Sequence, residues 1–347
     1  MQKGKVMLAA LLEKERSFKM VEAPDPEPGK NEVVIQVMSV GICGSEVEAF
    51  FGRHPFRKPP VITGHEMSGV TVKIGEDVSG LEVGERVTIE PQVSCGSCIY
   101  CQSGKSNLCP YRISLGTPKW PGPFGEFIRA PASNIFRIPG EITFDEAVLV
   151  EPLAVGVHAL QKTQLHQGES LIVLGAGTIG LCTAVAARAK GIQEILMTDI
   201  SMTKLKMGER MGALYVLDAK DPDLLGKVKQ IFPEGADVAI VATGASEAFR
   251  MSTRFVKRDG RIGVVGLSRQ EAFVPIELGG AGTELKVIGC TTYLHDDFQE
   301  SVKILPSTRL REFISRTFPI EQIQEAFETF IRENDTLIKV ILHHHYV

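Results

Sequence analysis

Ser170-Leu171-Ile172-Val173-Leu174-Gly175-Ala176-Gly177-Thr178-Ile179-Gly180 is the stretch on which the fold turns. A compact apolar run, Ser170–Gly175, leads into G-x-G-x-x-G, and Thr178–Lys190 follows with helical spacing. A strand, a glycine turn and a helix in that order form a phosphate cradle. The first glycine, Gly175, allows the tight turn, and Gly177 lets the backbone approach a pyrophosphate. Gly180 lets helix and strand pack closely, and the helix N-terminus faces the phosphate charge. Thr178 and Ile179 complete the motif. An acidic residue should end the second strand about 20 residues on. Asp199 stands nineteen positions after Gly180. A carboxylate there accepts hydrogen bonds from the adenine ribose and repels a 2′-phosphate, so NAD is favoured over NADP. Lys204 and Lys206 argue the other way, since a lysine can pair with that phosphate.

Outward from this loop the pattern repeats. Glu194–Asp199, Tyr215–Leu217, Asp237–Thr243, Arg261–Gly266 and Lys286–Gly289 read as strands. Helical patterns at Lys204–Met211, Leu224–Ile231 and Glu247–Val256 fall between them. Six strands alternating with helices predict a doubly wound parallel sheet. Beyond Tyr293 the chain predicts helices at Asp297–Leu305 and Ile320–Arg332 and a closing strand at Leu337–Leu342. The first 150 residues read instead as β-rich, with short apolar runs at Glu32–Val40, Ser68–Ile74 and Arg86–Pro91. Gly116–Gly125, with three prolines and the single tryptophan Trp120, is a loop.

The 347 residues suit two domains. With 44% hydrophobic and 23% charged residues, the composition is globular and not disordered. The net charge of −4 supplies no basic field for nucleic acid. No apolar run approaches the ~18 residues of a membrane span. Lys3 and Lys5 before Val6–Leu12 resemble a short signal peptide, but a charged Glu13–Arg16 follows, so a first strand is the better reading. The expectation is a cytoplasmic enzyme with no membrane or nucleic-acid partner.

Seven cysteines, four of them within fifteen residues, argue for metal and against a disulfide framework. Cys95-x2-Cys98-x2-Cys101-x7-Cys109 has the ligand set of a closed, structural four-thiolate zinc site. An iron–sulfur cluster is the rival, but no proline directly follows Cys101 and no second cluster motif exists. Three further pieces are dispersed: Gly41-Ile42-Cys43-Gly44-Ser45-Glu46, Gly64-His65-Glu66, and Glu151-Pro152. Each alone is unremarkable. Cys182 and Cys290 read as packing residues, and the tail His343-His344-His345 as an exposed end.

Together, in this order, these motifs resemble the zinc-dependent medium-chain dehydrogenases, in the polyol (sorbitol-like) and threonine dehydrogenase branch. The resemblance spans essentially the whole chain. It implies an α/β two-domain protein: a GroES-like catalytic domain at 1–155 and 294–347, with a structural zinc lobe at about 91–112, and a Rossmann domain at 156–293. The active site would lie in the interdomain cleft. Cys43 and His65 are implied as catalytic-zinc ligands, with Glu66 and Glu151 as the remaining candidates and the choice between them open. Ser45 matches the hydroxyl that relays the substrate proton. Lys204 joins Gly175, Gly177, Thr178, Ile179, Gly180 and Asp199 as cofactor-binding. The implied reaction is NAD-dependent oxidation of a sugar alcohol, sugar acid or cyclitol, by an enzyme with two zinc ions per chain assembled as a homotetramer or homodimer. An amino-acid alcohol such as threonine is the alternative substrate. A relative without catalytic zinc, reducing quinones or sensing nucleotides, is the alternative of another class.

The physical need for zinc is large. It lowers the pKa of bound water from about 15.7 to about 7, worth ~12 kcal/mol. A general base typically contributes ~3–5 kcal/mol.

Three positions depart from the family. Glu46 stands where many relatives carry aspartate, so one more methylene must be accommodated if it orients His65. Glu48 stands where many carry a relay histidine, with His54 as a possible substitute. Cys290-Thr291-Thr292-Tyr293 replaces a Phe-Arg-Tyr sequence, which removes an arginine contact to polyols.

Overall fold

The computed structural model describes residues 6–266, 271 and 283–344. The chain divides into two compact units, Met1–Glu151 with Arg311–Val347, and Pro152–Leu310.

In the first unit the N-terminal apolar stretch is the strand Val6–Lys14, paired antiparallel with Ser17–Pro24. Lys3 and Lys5 lie outside the described residues. The main sheet orders its strands Ile314–Pro319, Lys339–His343, Glu32–Gly41, Glu66–Ile74, Arg86–Ile89 and Ile135–Arg137, with Phe127–Pro131 also on Glu32–Gly41. The closing strand therefore completes this unit, because Ile341 and Leu342 pair with Gly41 and Val40. Alternate residues of these strands bury Val33, Ile35, Val37, Val87 and Leu342 in one core, as period-two patterning requires. Phe18, Phe50, Phe124 and Phe327 pack ring to ring within it.

The second unit is a six-stranded parallel sheet. In chain order its strands are Leu171–Leu174, Ile195–Asp199, Tyr215–Asp218, Ala236–Val241, Val256–Val264 and Lys286–Gly289. They lie across the sheet as 3-2-1-4-5-6. That is the doubly wound order, which reverses beside the glycine loop. The first strand is buried at all four positions, as a central parallel strand must be.

The sequence reading sets the second domain at 156–293, and the contacts set the second unit at Pro152–Leu310. The sequence reading returns the chain to the first unit at 294, whereas the return falls at 311. The reason is the helix His295–Ile304. Its Asp297 Oδ2 lies 2.7 Å from His158 Nδ1, with both side chains almost fully buried. That pair and the Tyr293–Phe298 ring contact hold the helix on the second unit. The C-terminal histidines also differ from the exposed tail expected. His343 pairs with Asp145 at 2.7 Å, and His344 is buried with Nε2 against the Pro123 carbonyl. His345 lies outside the described residues. Among the described residues no helix is long and apolar enough to cross a membrane.

Candidate active site

Three local structures bring the first-unit residues together. Cys43 precedes the short helix Gly44–Phe50, which carries Ser45 and Glu46. His65 immediately precedes the strand Glu66–Ile74, and Glu151 lies in the first turn of the helix Val150–Lys162. The proline-rich loop matters here. A Cβ at Gly116 or Gly122 would come within 2.3 Å of the Gly64 or Thr63 carbonyl, so these glycines let the loop back the segment that ends at His65.

His65 Nδ1 is 2.7 Å from Glu46 Oε1, and His65 Nε2 is 4.0 Å from Glu151 Oε1. A carboxylate on Nδ1 fixes the tautomer and leaves Nε2 for a metal. The extra methylene of Glu46 is thus accommodated, with the side chain fully buried. Burial opposes the Glu46 charge, but His65 and Arg57 more than offset it and hold the carboxyl at about 2. Burial likewise opposes a charged His65, and Glu46 overrides it to raise the imidazole well above its usual value.

Ligand atoms of Cys43, Glu46 and His65 lie within 4.8 Å of one another, as do those of His65, Glu66 and Glu151. The neighbours of a tetrahedral zinc with bonds of ~2.0–2.3 Å stand ~3.3–3.8 Å apart. The donors gathered around His65, a thiol sulfur, an imidazole nitrogen and carboxylate oxygens, are of the kinds zinc takes. The two open candidates differ in their surroundings. Glu66 accepts from Lys339 Nζ through both oxygens, at 2.9 and 2.6 Å, with both side chains 1% exposed. Glu151 Oε1 instead lies 4.0 Å from His65 Nε2.

The sequence reading missed two residues here. Lys339 was legible as a lysine inside an apolar closing strand. Arg57, in the stretch His54-Pro55-Phe56-Arg57-Lys58-Pro59-Pro60, carried no such signal. Ser45 Oγ donates to Glu46 Oε2 at 3.3 Å and accepts from Arg57 at 3.4 Å. Glu48, at the relay position, is instead ion-paired to Arg53 at 2.8 Å. His54 accepts two backbone N–H groups at Nδ1, from Phe56 and Arg57, and its Nε2 faces Arg57 at 3.1 Å. Burial and then Arg57 push its pKa down to about 4.

In the separate lobe, Cys98 caps the helical turn Ile99–Gln102 that carries Cys101, which puts the two sulfurs on one face. Their Sγ atoms are 3.5 Å apart, and Cys95 and Cys101 are 3.9 Å apart. The edge of a Zn–S4 tetrahedron with ~2.3 Å bonds is ~3.8 Å. Backbone N–H groups of Ser97 and Cys98 lower the Cys95 thiol to about 6, which favours the thiolate a metal needs.

In the second unit Gly175 has φ +104°, a conformation open to glycine. A Cβ at Gly180 would lie 1.8 Å from the Gly175 carbonyl, whereas one at Gly177 would meet nothing within 4 Å. Gly175 and Gly180 are thus required by the protein's own packing. Gly177 borders open space at the start of the helix Thr178–Ala189, which has no side-chain cap, and a dinucleotide pyrophosphate fits there. Asp199 ends the second strand, accepting from Ala176 N at 2.7 Å and Ser201 N at 2.8 Å. Lys204 lies half-buried in the first turn of the following helix, with its backbone N–H on the Ser201 cap.

Residues 29–140 match the alcohol dehydrogenase GroES-like domain, and residues 178–307 match the zinc-binding dehydrogenase domain. The sorbitol dehydrogenase of Bacillus subtilis is 32% identical over 345 residues, covering 97% of each chain. An Escherichia coli protein named a short chain alcohol dehydrogenase, solved with NADH, superposes with a TM-score of 0.90 at 26% identity, over 98% of this chain and all of that one. A zinc-binding dehydrogenase from Sinorhizobium meliloti, bound to NADP, gives 0.88 at 27% identity, over 98% and 99%.

Proposed function

The chain belongs to the zinc-binding alcohol dehydrogenases with a GroES-like domain, and from that premise we propose that it oxidises a small polyhydroxylated secondary alcohol to the ketone, with NAD as hydride acceptor. The observation that carries the site assignment is the pairing of its buried carboxylates. Glu66 is committed to Lys339 and Glu46 to His65 and Arg57, while Glu151 faces His65 Nε2. Cys43, His65 and Glu151 would hold the catalytic zinc. Glu66 is the weaker candidate because both its oxygens are occupied. When bound, zinc would supply the Lewis acidity that lets an alcohol lose its proton, and NAD the acceptor for its hydride.

The chain's own residues do the remainder. Glu46 fixes the His65 ring by Nδ1. Ser45 Oγ, its own proton directed at Glu46 Oε2, keeps an acceptor lone pair for the substrate hydroxyl. Gly175, Gly177, Thr178, Ile179 and Gly180 would cradle the pyrophosphate, and Asp199 would take the ribose hydroxyls and repel a 2′-phosphate, with Lys204 beside them. Cys95, Cys98, Cys101 and Cys109 would hold the second, structural zinc. We take the enzyme to be a cytoplasmic homodimer or homotetramer, on the resemblance to its branch.

A panel of sugar alcohols, cyclitols, sugar acids, threonine and ethanol, read by NADH absorbance, tests the reading. Polyhydroxylated secondary alcohols are expected to be oxidised best, because a polar pocket leaves groups unpaired when the substrate lacks hydroxyls. Preference for ethanol, or turnover of threonine alone, would overturn the substrate class.

A further inference from the structure

Arg57 is 7% exposed, and a guanidinium at that depth is costly unless it neutralises something. Its NH2 donates to the Leu115 carbonyl at 3.2 Å and its NH1 to Ser45 Oγ at 3.4 Å. Its Nε makes no hydrogen bond and sits 3.5 Å from Glu46 Oε1. Glu46 in turn holds His65 Nδ1 at 2.7 Å and is fully buried. A histidine that binds metal through Nε2 is a neutral imidazole donating its other N–H. In the loaded site His65 therefore brings no positive charge to Glu46, and the cation that faces Glu46 is Arg57.

We infer that Arg57 is a positioning residue of the metal site: its guanidinium is the counter-charge that Glu46 requires in order to hold His65 by Nδ1, and the same fork sets the Ser45 hydroxyl. Arg57 acts through those two residues. It accompanies the longer glutamate at position 46, whose Oε1 lies 2.7 Å from His65 Nδ1 and 3.5 Å from Arg57 Nε. The inference rests on His65 being a zinc ligand, as proposed above.

The test is a double-mutant cycle on zinc retention in the full-length, zinc-loaded enzyme, using Arg57→Met, Glu46→Gln and the double variant. Zinc is titrated with a competing chelator, and the four-cysteine zinc serves as internal reference. Arg57→Met is expected to weaken the catalytic zinc by ~10–100-fold, the usual effect of losing an outer-shell partner, with the reference zinc unmoved. In the Glu46→Gln background the same change should alter zinc affinity by less than ~3-fold, because the charge to be neutralised is gone. Arg57→Lys should retain zinc to within ~3-fold of wild type while losing turnover through the Ser45 contact. Equal losses in both backgrounds would overturn the inference, since they would mean that Arg57 acts by packing at Leu115. Unchanged retention in Arg57→Met, or a Lys variant as weak as Met, would also overturn it. Should Arg57→Met not fold, the Lys variant and the neutral double variant carry the comparison alone. A wild-type chain holding only the four-cysteine zinc would instead refute the metal-site reading itself.

Discussion

Replacing Lys339 by Met removes the cation from a pair that is 1% exposed on both sides. Lys339 Nζ contacts both Glu66 oxygens and the Ile42 carbonyl, the last at 3.3 Å, and the variant loses these contacts. Removing one partner of a buried pair costs ~3–5 kcal/mol, because the other charge is stranded. For a unit of this size each kcal/mol moves Tm by ~2–4 °C, so a fall of about 10 °C is expected. Lys30→Met is the control. Its pair with Glu76 is as short, at 2.7 Å, but 71% and 66% exposed, and its loss should cost under ~1 kcal/mol. Denaturant unfolding of the zinc-loaded proteins, followed by circular dichroism, measures both. Lys339→Met with Glu66→Gln should recover much of the loss, since no charge is then stranded. A Lys339→Met protein within ~1 kcal/mol of wild type would refute the reasoning, and with it the grounds for setting Glu66 aside as a ligand.

Asp199→Ser should raise the NAD Michaelis constant by ~10–150-fold, the worth of a charged hydrogen bond, and relax discrimination against NADP; wild-type enzyme using NADP equally well would contradict that role. Cys98→Ser should lower Tm and leave about one zinc per chain by metal analysis, as expected for a closed site that only holds its lobe together. The His343–Asp145 pair should make stability depend on pH. The hydrogen bond His343 donates to Asp145 raises the His343 pKa, so that contribution is complete below ~6.5 and fades as pH rises through the raised value. Burial opposes the Asp145 charge but the bonds from His343 and Ser39 outweigh it and lower its pKa, so that contribution is complete above ~3.9 and fades on acidification. Asp145→Asn should therefore cost more at pH ~6 than at pH ~9 in urea unfolding, by under ~1 kcal/mol because both groups are partly exposed.

The second unit was legible because its signals are local. An apolar run, three glycines and an acid at fixed spacing need only a strand, a turn and a helix to acquire their meaning, and Leu171–Ala189 supplies them. The four cysteines were legible for the same reason, all lying on one short lobe. The candidate catalytic residues were less so, since Cys43, Glu46 and His65, and His65, Glu66 and Glu151, come together only through the tertiary fold of the first unit. The contact that distinguishes Glu66 from Glu151 is made by Lys339, 273 positions from Glu66 in the chain. No period or spacing carries that pairing. Arg57 is harder still, because its meaning lies in Glu46 and Ser45, to which no pattern connects it. The helix at His295 packs within the second unit through a buried histidine–aspartate pair that no spacing in the sequence announces.

The most direct test of the central claim is zinc content and polyol-dependent NADH formation measured together on wild type and Cys43→Ser. Wild type is expected to hold about two zinc ions per chain and to turn over a polyhydroxylated secondary alcohol. Cys43→Ser is expected to hold about one zinc and show no turnover, with NAD binding and the thermal transition largely preserved. Full activity in Cys43→Ser, or a fully zinc-loaded wild type that oxidises no secondary alcohol, would contradict that claim.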